Sequence, residues 1–174
     1  MSCQALLQQK FLTFLALAFL IISFWAQAAQ SCDMSMSENA PFRQIVTCGD
    51  AVTIEREPTA GLQITKSPAQ VAPRMMEVEG GAILIQVSPG RSSTQVRTRH
   101  AIATVRGTTY IVDAGTQQTS VFVIEGAVEV RRANDASTFT LNAGEGTDVS
   151  LDEPISVERW GIARAEALLL RFGR

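Results

Sequence analysis

The chain has 174 residues, enough for one ordinary domain, and 46% of them are hydrophobic, so it can bury a core. It carries 15 Lys and Arg against 17 Asp and Glu, a formal charge of −2, which provides no field to attract a phosphate backbone. One histidine and three cysteines leave little material for a metal centre or for thiol chemistry. The composition argues against a nucleic-acid partner, a metal site or a cofactor, and it makes an enzyme the weaker interpretation.

The first 28 residues have the pattern of a secretory signal peptide. Lys10 and the amino terminus supply positive charge, Phe11 to Trp25 is an almost unbroken apolar run, and Ala26-Gln27-Ala28 is a small-x-small cleavage site. The alternative is an inner-membrane anchor formed by residues 11–28, because the run approaches the roughly 20 residues that span a bilayer. We expect cleavage after Ala28 and a periplasmic or secreted mature protein.

The cysteines predict one disulfide bond. Cleavage removes Cys3 and leaves Cys32 and Cys48 in an oxidising compartment, where two cysteines of an exported chain pair. Their spacing is not the C-x-x-C of a redox-active pair. The bond would attach a polar N-terminal segment, residues 29–48, to the first strand.

Residues 49–151 predict a β domain. Apolar residues alternate with polar ones in short runs such as Ile83, Ile85 and Val87, which is typical of half-buried strands. Two runs, Val96 to Val105 and Val121 to Ile124, are apolar on both faces and predict strands covered on both sides. Turn residues recur at regular spacing, and no stretch shows helical periodicity, so we expect an all-β sandwich or a twisted β-solenoid. These turn residues are Gly107, Gly115, Gly126, Asp135 and Gly144.

The C-terminal part, residues 152–174, predicts a helix. Pro154 ends the β region, and Val157 to Phe172 is rich in helix formers. We expect an apolar stripe that caps the open end of the β core, with Arg159, Arg164, Glu166 and Arg171 left for solvent; a helix that binds a partner or a membrane surface is the alternative. The stripe consists of Trp160, Ala163, Ala167 and Leu170.

Three segments in order along the chain resemble the FecR protein domain family over roughly residues 49–150. The first is the apolar strand that ends in Val105-Arg106-Gly107-Thr108 and continues to Tyr110 and Val112. The second is Val121 to Val130 with its central Glu125-Gly126, and the third is Leu141 to Glu145. The resemblance implies a β-rich domain that works in signalling through protein contacts.

These motif residues also have a structural interpretation. Gly107 and Gly126 stand where one strand gives way to the next and glycine tolerates positive φ, while Thr108 can satisfy open backbone groups there. Glu125 can accept turn amides or pair with Arg106. The motif residues Val105, Arg106, Gly107, Thr108, Glu125 and Gly126 are therefore expected to build the fold, with an anion or partner contact by Arg106 as the alternative.

No residue pattern predicts a catalytic site. His100 is the only imidazole, and its alternation with Ile102 predicts a strand position. The chain contains no G-x-S-x-G nucleophile elbow. We assign His100 no chemistry.

Arginines form the one unusual charge feature. Arg97 and Arg99 are close to Arg91 and Arg106 in the sequence, and Arg131-Arg132 joins them if the neighbouring strands pair. Such a group is usually a solvated sheet face. The functional alternative is a docking surface, centred on Arg97 and Arg99, for an acidic partner or an anionic envelope polymer.

Taken with the family resemblance, the sequence predicts a stand-alone, exported and non-catalytic FecR domain. About ten residues precede the apolar segment, too few for the sigma-factor-binding part found in the best-known family members. The expected partner is an envelope or membrane-sensor protein. The alternative function is a binding module for a small ligand or a cell-envelope glycan.

Overall fold

The protein is a β-sandwich with one short helix on an outer face. The computed structural model describes residues 32–65, 73–90 and 93–174. The predicted signal segment, Arg91 and Cys3 lie outside the described residues. Within the described residues, no helix is long and apolar enough to cross a bilayer.

Fourteen strands of the described chain form two sheets, and every neighbouring pair except β5 with β7 is antiparallel. Sheet A contains, in spatial order, β1 (Cys32–Met36), β2 (Gln44–Cys48), β3 (Val52–Arg56), β6 (Ala82–Val87), β9 (Thr109–Ala114), β10 (Thr119–Glu125), β13 (Glu145–Val149) and β14 (Glu158–Arg159). Sheet B contains β12 (Thr138–Asn142), β11 (Ala127–Arg132), β8 (Ala101–Val105), β7 (Thr94–Arg97), β5 (Met75–Glu79) and β4 (Gly61–Thr65). The helix α1 is Ile162–Leu170.

The core lies between the two sheets and confirms the predicted all-β sandwich. Alternate residues of sheet A, such as Ile54, Ile85 and Val123, are fully buried against Val96 and Val130 of sheet B. This is the period of 2 that places every second side chain on one face. The doubly apolar run Val121–Ile124 has the predicted role, because its other alternating set faces a second apolar layer under the helix.

The chain crosses from one sheet to the other at glycines. β8 of sheet B ends before Gly107 and β9 continues in sheet A, whereas β10 of sheet A ends before Gly126 and β11 returns to sheet B. Both glycines have positive φ, 62° and 85°, which other residues rarely adopt. The Thr108 hydroxyl donates to the Ala127 carbonyl at 2.8 Å, so the two crossings are joined to each other.

These crossings pack too closely for a side chain. A Cβ on Gly126 would come within 2.9 Å of both the Gly107 carbonyl oxygen and the Thr108 hydroxyl. The predicted structural roles of the two glycines and of Thr108 agree with this geometry. Arg106 and Glu125 are both exposed and form no ion pair with each other within the described chain.

The predicted continuous strand Val96–Val105 is wrong. It is divided into β7 and β8 by a turn at Thr98–His100, so His100 lies in a turn and not on a strand. The Thr98 hydroxyl accepts hydrogen bonds from the amides of His100 and Ala101, at 3.2 and 2.9 Å. This local side-chain bonding reverses the chain without glycine or proline.

The predicted disulfide joins Cys32 to Cys48, which face each other across β1 and β2 with a Cα separation of 4.2 Å. Cys48 is buried in the core and Cys32 packs against it. The bond attaches the edge strand β1 to sheet A, and β2 and β3 continue the same sheet without a break at residue 49.

The helix prediction needs correction in extent, stripe and place. Glu158 and Arg159 form the short strand β14, and the helix begins only after Gly161. Because Trp160 precedes the helix, it does not share a helical register with Ala163, Ala167 and Leu170, and those three are exposed. The residues that pack inward are Ala165, Leu168, Leu169 and Phe172, spaced i, i+3, i+4 and i+7.

The helix covers the outer face of sheet A and does not cap an open end of the core. Its apolar side meets Leu84, Ile111 and Phe122 in a second hydrophobic cluster. Trp160 stacks on Phe122 with ring centroids 5.0 Å apart, and the Arg164 guanidinium lies 3.6 Å above the indole. These aromatic and cation–π contacts fix the chain just before the helix.

Arg171, which was predicted to face solvent, anchors the end of the helix. Arg171 donates two hydrogen bonds of 2.7 Å to the Glu57 carboxylate and also contacts Asp113. Burial alone would raise the pKa of Glu57, but hydrogen bonds from Arg171 and the Ala82 amide outweigh it and hold the pKa below its usual value. The same ion pairs raise the pKa of Arg171. A bidentate pair of this kind specifies one orientation of the helix.

Replacing Cys48 with Ser should lower the free energy of unfolding by about 2–4 kcal/mol, because the unfolded chain regains the entropy that the closed loop removes. Urea unfolding of oxidised wild type and variant measures the difference. Alkylation without reductant should leave both cysteines of the wild type unlabelled. Labelling of either one would contradict the bond.

Replacing Gly146 with Ala should displace the helix segment, because a Cβ there would overlap the Trp160 indole. We expect a loss of about 1–3 kcal/mol in unfolding free energy and a red shift of the Trp160 emission. The chain's other tryptophan is Trp25 in the predicted signal segment, so Trp160 alone reports in the processed form. The matched control is Gly161→Ser, where no atom lies within 4 Å of an added Cβ; an equal loss in the control would contradict the assignment.

Candidate functional site

The sequence-predicted docking residues Arg97 and Arg99 lie in an open cleft at one end of the sandwich. The cleft has a volume of about 570 Å³. It is formed by turns that are neighbours in space although they are distant in the sequence. Its walls come from the end of β5, the β7–β8 turn and the β9–β10 turn. They include Glu77, Glu79, Arg97, Arg99, Gly115 and Thr116.

The charges of this cleft are mixed, which the sequence did not predict. The parallel pairing of β5 with β7 places Glu77 directly beside Arg97, and Glu79 lines the same wall. Arg97 and Arg99 are both exposed. The cleft therefore offers two guanidinium groups and two carboxylates, a set suited to a partner with charges of both signs rather than to a purely acidic one.

Arg131 lies close enough to Arg97 to join the predicted docking surface, whereas Arg106 lies at the other end of the sandwich. Pairing of β8 with both neighbours places Arg131 and Arg97 on either side of Ile102, in one row across sheet B. Arg106 instead follows the opposite end of β8. It lines a separate hollow of about 450 Å³ together with Glu129 and Thr140.

Buried polar groups support the floor of the cleft. His100 is only 2% exposed, and its Nδ1 lies 3.3 Å from the Thr119 hydroxyl. Thr119 also shares a 2.8 Å hydrogen bond with Thr98, so this cluster joins the β7–β8 turn of sheet B to the start of β10 in sheet A. Sequence spacing alone could not bring these three residues together. The available sequence signal was the Thr98-Arg99-His100 segment, whose threonine can bond nearby amides and so form a turn.

The surroundings of His100 disfavour its charged form. Burial lowers the pKa of His100, and the positive charge of Arg99 lowers it further. The imidazole is therefore neutral at physiological pH and serves as a hydrogen-bonding group between the sheets.

A second buried titratable group, Tyr110, is part of the core. Tyr110, the aromatic residue of the first motif, is fully buried between the sheets, and burial raises the pKa of its phenol. Its hydroxyl has no hydrogen-bond partner within the described chain. Across residues 32–65, 73–90 and 93–174, no three His, Cys, Asp or Glu side chains are grouped so as to hold a metal ion.

The architecture defines a two-sheet β domain whose turns gather around a charged cleft. The chain belongs to the FecR protein family, whose model matches residues 43–129, half of the sequence. The match includes Arg97, Arg99, the first motif and all but the last residue of the second, and it ends before Leu141–Glu145. Membership supports a signalling or regulatory role. No curated protein matches the sequence at a significant level.

Two solved structures share the fold. Both are of a proposed anti-sigma factor from Parabacteroides distasonis. One has 23% sequence identity and a TM-score of 0.61, with 73% of this chain and 60% of that chain covered. The other has 20% identity and a TM-score of 0.60, with 80% and 65% covered. The chain thus spans less than two thirds of the length of these structures.

The free energy of unfolding should decrease as the pH is lowered, and part of this decrease should depend on His100. The unfolded imidazole has a pKa near 6.5 and the folded one is lower, so the stabilisation is complete above about pH 6.5 and is lost as pH falls towards the folded pKa. His100→Gln should remove this dependence, which amounts to at most about 1.4 kcal/mol per pH unit. Urea unfolding between neutral and mildly acidic pH compares the two proteins. Since His100 is the only histidine, parallel curves would contradict the assignment.

Proposed function

We propose that this protein is a non-catalytic regulatory module of the bacterial cell envelope, exported and processed, that acts by binding a membrane-sensor or other envelope protein. Family membership supports the regulatory role. The observation that carries the binding site is the cleft in which Arg97 and Arg99 are exposed while the residues beneath them are held rigidly.

Rigidity of the cleft floor supports a binding role. The Thr98–His100 turn is fixed by the hydrogen bonds of Thr98 and Thr119, so the two flanking arginines project from a preorganised backbone. A preorganised site loses less entropy when a partner binds. The presence of Glu77 and Glu79 beside the arginines predicts a partner surface with both signs of charge, which favours specificity over strength.

A small ligand or an envelope glycan is the second candidate for the same cleft. A volume of about 570 Å³ lies within the range of about 300–1,000 Å³ found for ligand pockets. The open shape and the four charged side chains favour a protein surface over a small apolar ligand. Neither candidate involves a nucleic acid.

Charge reversal of the cleft tests the binding site. Arg97→Glu with Arg99→Glu should abolish partner capture with only a small decrease in the melting temperature, because both side chains are exposed although position 97 then sets a second carboxylate beside Glu77. The matched control is Arg74→Glu with Arg106→Glu, which makes the same change in net charge at the opposite end of the sandwich, where Arg74 precedes β5 and Arg106 follows β8. Capture that survives the first double variant would move the binding surface elsewhere.

The partner itself is identified by a photo-reactive amino acid at position 99, compared with position 74, in living cells. An adduct that appears only at position 99 and that contains a membrane protein supports the proposal. An adduct with a glycan, or none, favours the second candidate. The intact mass of the purified protein checks export: it should begin at or near Ala29, and full-length protein held in the inner membrane would contradict processing.

A further inference from the structure

The edge strand β1 has an uncovered apolar side. Met34 is 71% exposed and Met36 is 59% exposed. Met34 pairs with Val46, which is buried in the core, so the two methionines stand on the face of sheet A that looks towards sheet B. Sheet A has eight strands and sheet B has six. Among the described residues, those of sheet B do not cover Met34 and Met36, which leaves this apolar strip open.

Within the described part of the chain, the backbone of β1 also has unpaired hydrogen-bonding groups on its outer edge. The Ser37 amide donates to the Arg43 carbonyl at 2.9 Å, which makes Ser37 and Arg43 a hydrogen-bonded pair. Pairs alternate along antiparallel strands, so Ser35 and Asp33 also point towards β2, while Met34 and Met36 point their amides and carbonyls away from the sheet. The 4.2 Å Cα separation of Cys32 and Cys48 agrees, because non-hydrogen-bonded pairs are about 4.5 Å apart.

The other sheet edges within the described chain are better protected. β14 has two residues, and the apolar side chains of β4 (Leu62 and Ile64) and of β12 (Phe139 and Leu141) are partly or fully buried. β1 contains no lysine and no proline, the residues that usually prevent edge pairing, and Asp33 is its single charge. β1 is therefore a full-length edge strand with both open hydrogen-bonding groups and open apolar area.

We propose that β1 pairs antiparallel with β1 of a second copy of this chain, about a twofold axis at Met34. In this register Met34 lies opposite Met34 of the second copy, and Cys32 lies opposite Met36. Asp33 then lies opposite Ser35, whose hydroxyl can donate to the carboxylate, so no like charges face each other. Pairing joins the two eight-stranded sheets edge to edge and brings four methionines side by side on one face, where they shield one another in part from solvent.

The choice of a second copy rests on this self-complementarity. When β1 is paired with a reversed copy of itself, each residue lies opposite a residue of compatible type. A twofold-symmetric interface requires this self-complementarity. A strand from an unrelated protein or a lipid surface could also cover the methionines, and neither would produce the twofold register. The dimer is independent of the partner contact at Arg97 and Arg99, which lie in sheet B or in the β7–β8 turn.

Light scattering across a wide concentration range, on the processed protein, provides the first test. We expect a dimer for the wild type. Met34→Lys should raise the dissociation constant about tenfold or more, because it removes apolar area and places two ammonium groups opposite each other. The matched control Thr140→Lys adds the same charge on the edge strand β12 and should leave the dimer intact. A wild type that stays monomeric, or a dimer equally affected by both variants, overturns the proposal.

Cross-linking tests the register. Oxidation of Met34→Cys should join two chains at position 34, because the Cα atoms of that pair lie about 5.5 Å apart. Met36→Cys should not, since four residues of strand rise place its two copies about 14 Å apart. Peptide mapping separates the new bond from exchange with Cys32 and Cys48. A dimer that joins through position 36, or through neither position, would require a different interface.

Discussion

The sandwich depends on the joint at which two sheet crossings meet. Gly107 takes the chain from sheet B to sheet A, Gly126 takes it back, and the hydrogen bond from Thr108 to the Ala127 carbonyl fastens one crossing to the other. The absence of a side chain at Gly126 lets the two backbones approach closely. Because β8, β9, β10 and β11 all begin or end at this joint, its geometry sets the separation and register of the central strands in both sheets.

This constraint explains why the two family motifs are far apart in the sequence but act as one structural unit. Val105-Arg106-Gly107-Thr108 and Glu125-Gly126 are two halves of the same corner. Their polar side chains Arg106 and Glu125 are exposed, so the corner is held by backbone geometry and the Thr108 hydrogen bond rather than by an ion pair. In this chain the FecR-like motifs therefore describe how two sheets are linked.

Features that follow from local periodicity could be predicted from the sequence. The alternation of Ile83, Ile85 and Val87 correctly places one face inward, and Val121 to Ile124 is covered on both sides as expected. The disulfide followed from the count of cysteines. The helix stripe could not be predicted, because the helix is apolar on two sides and begins only after Gly161, beyond Trp160. The mixed charge of the cleft depends on the pairing of β5 with β7, which brings Glu77 to Arg97 from twenty positions away.

The position of the helix makes the order of synthesis important. Leu84, Ile111 and Phe122 belong to strands that leave the ribosome well before residues 160–172, which cover them. Until residues 160–172 pack against these strands, the sandwich has an exposed apolar face in addition to an open edge strand, the kind of surface that promotes aggregation. Docking of Arg171 onto Glu57 and Asp113 thus holds the cover of this face in place, and a chain that stops short of Trp160 would leave the face exposed.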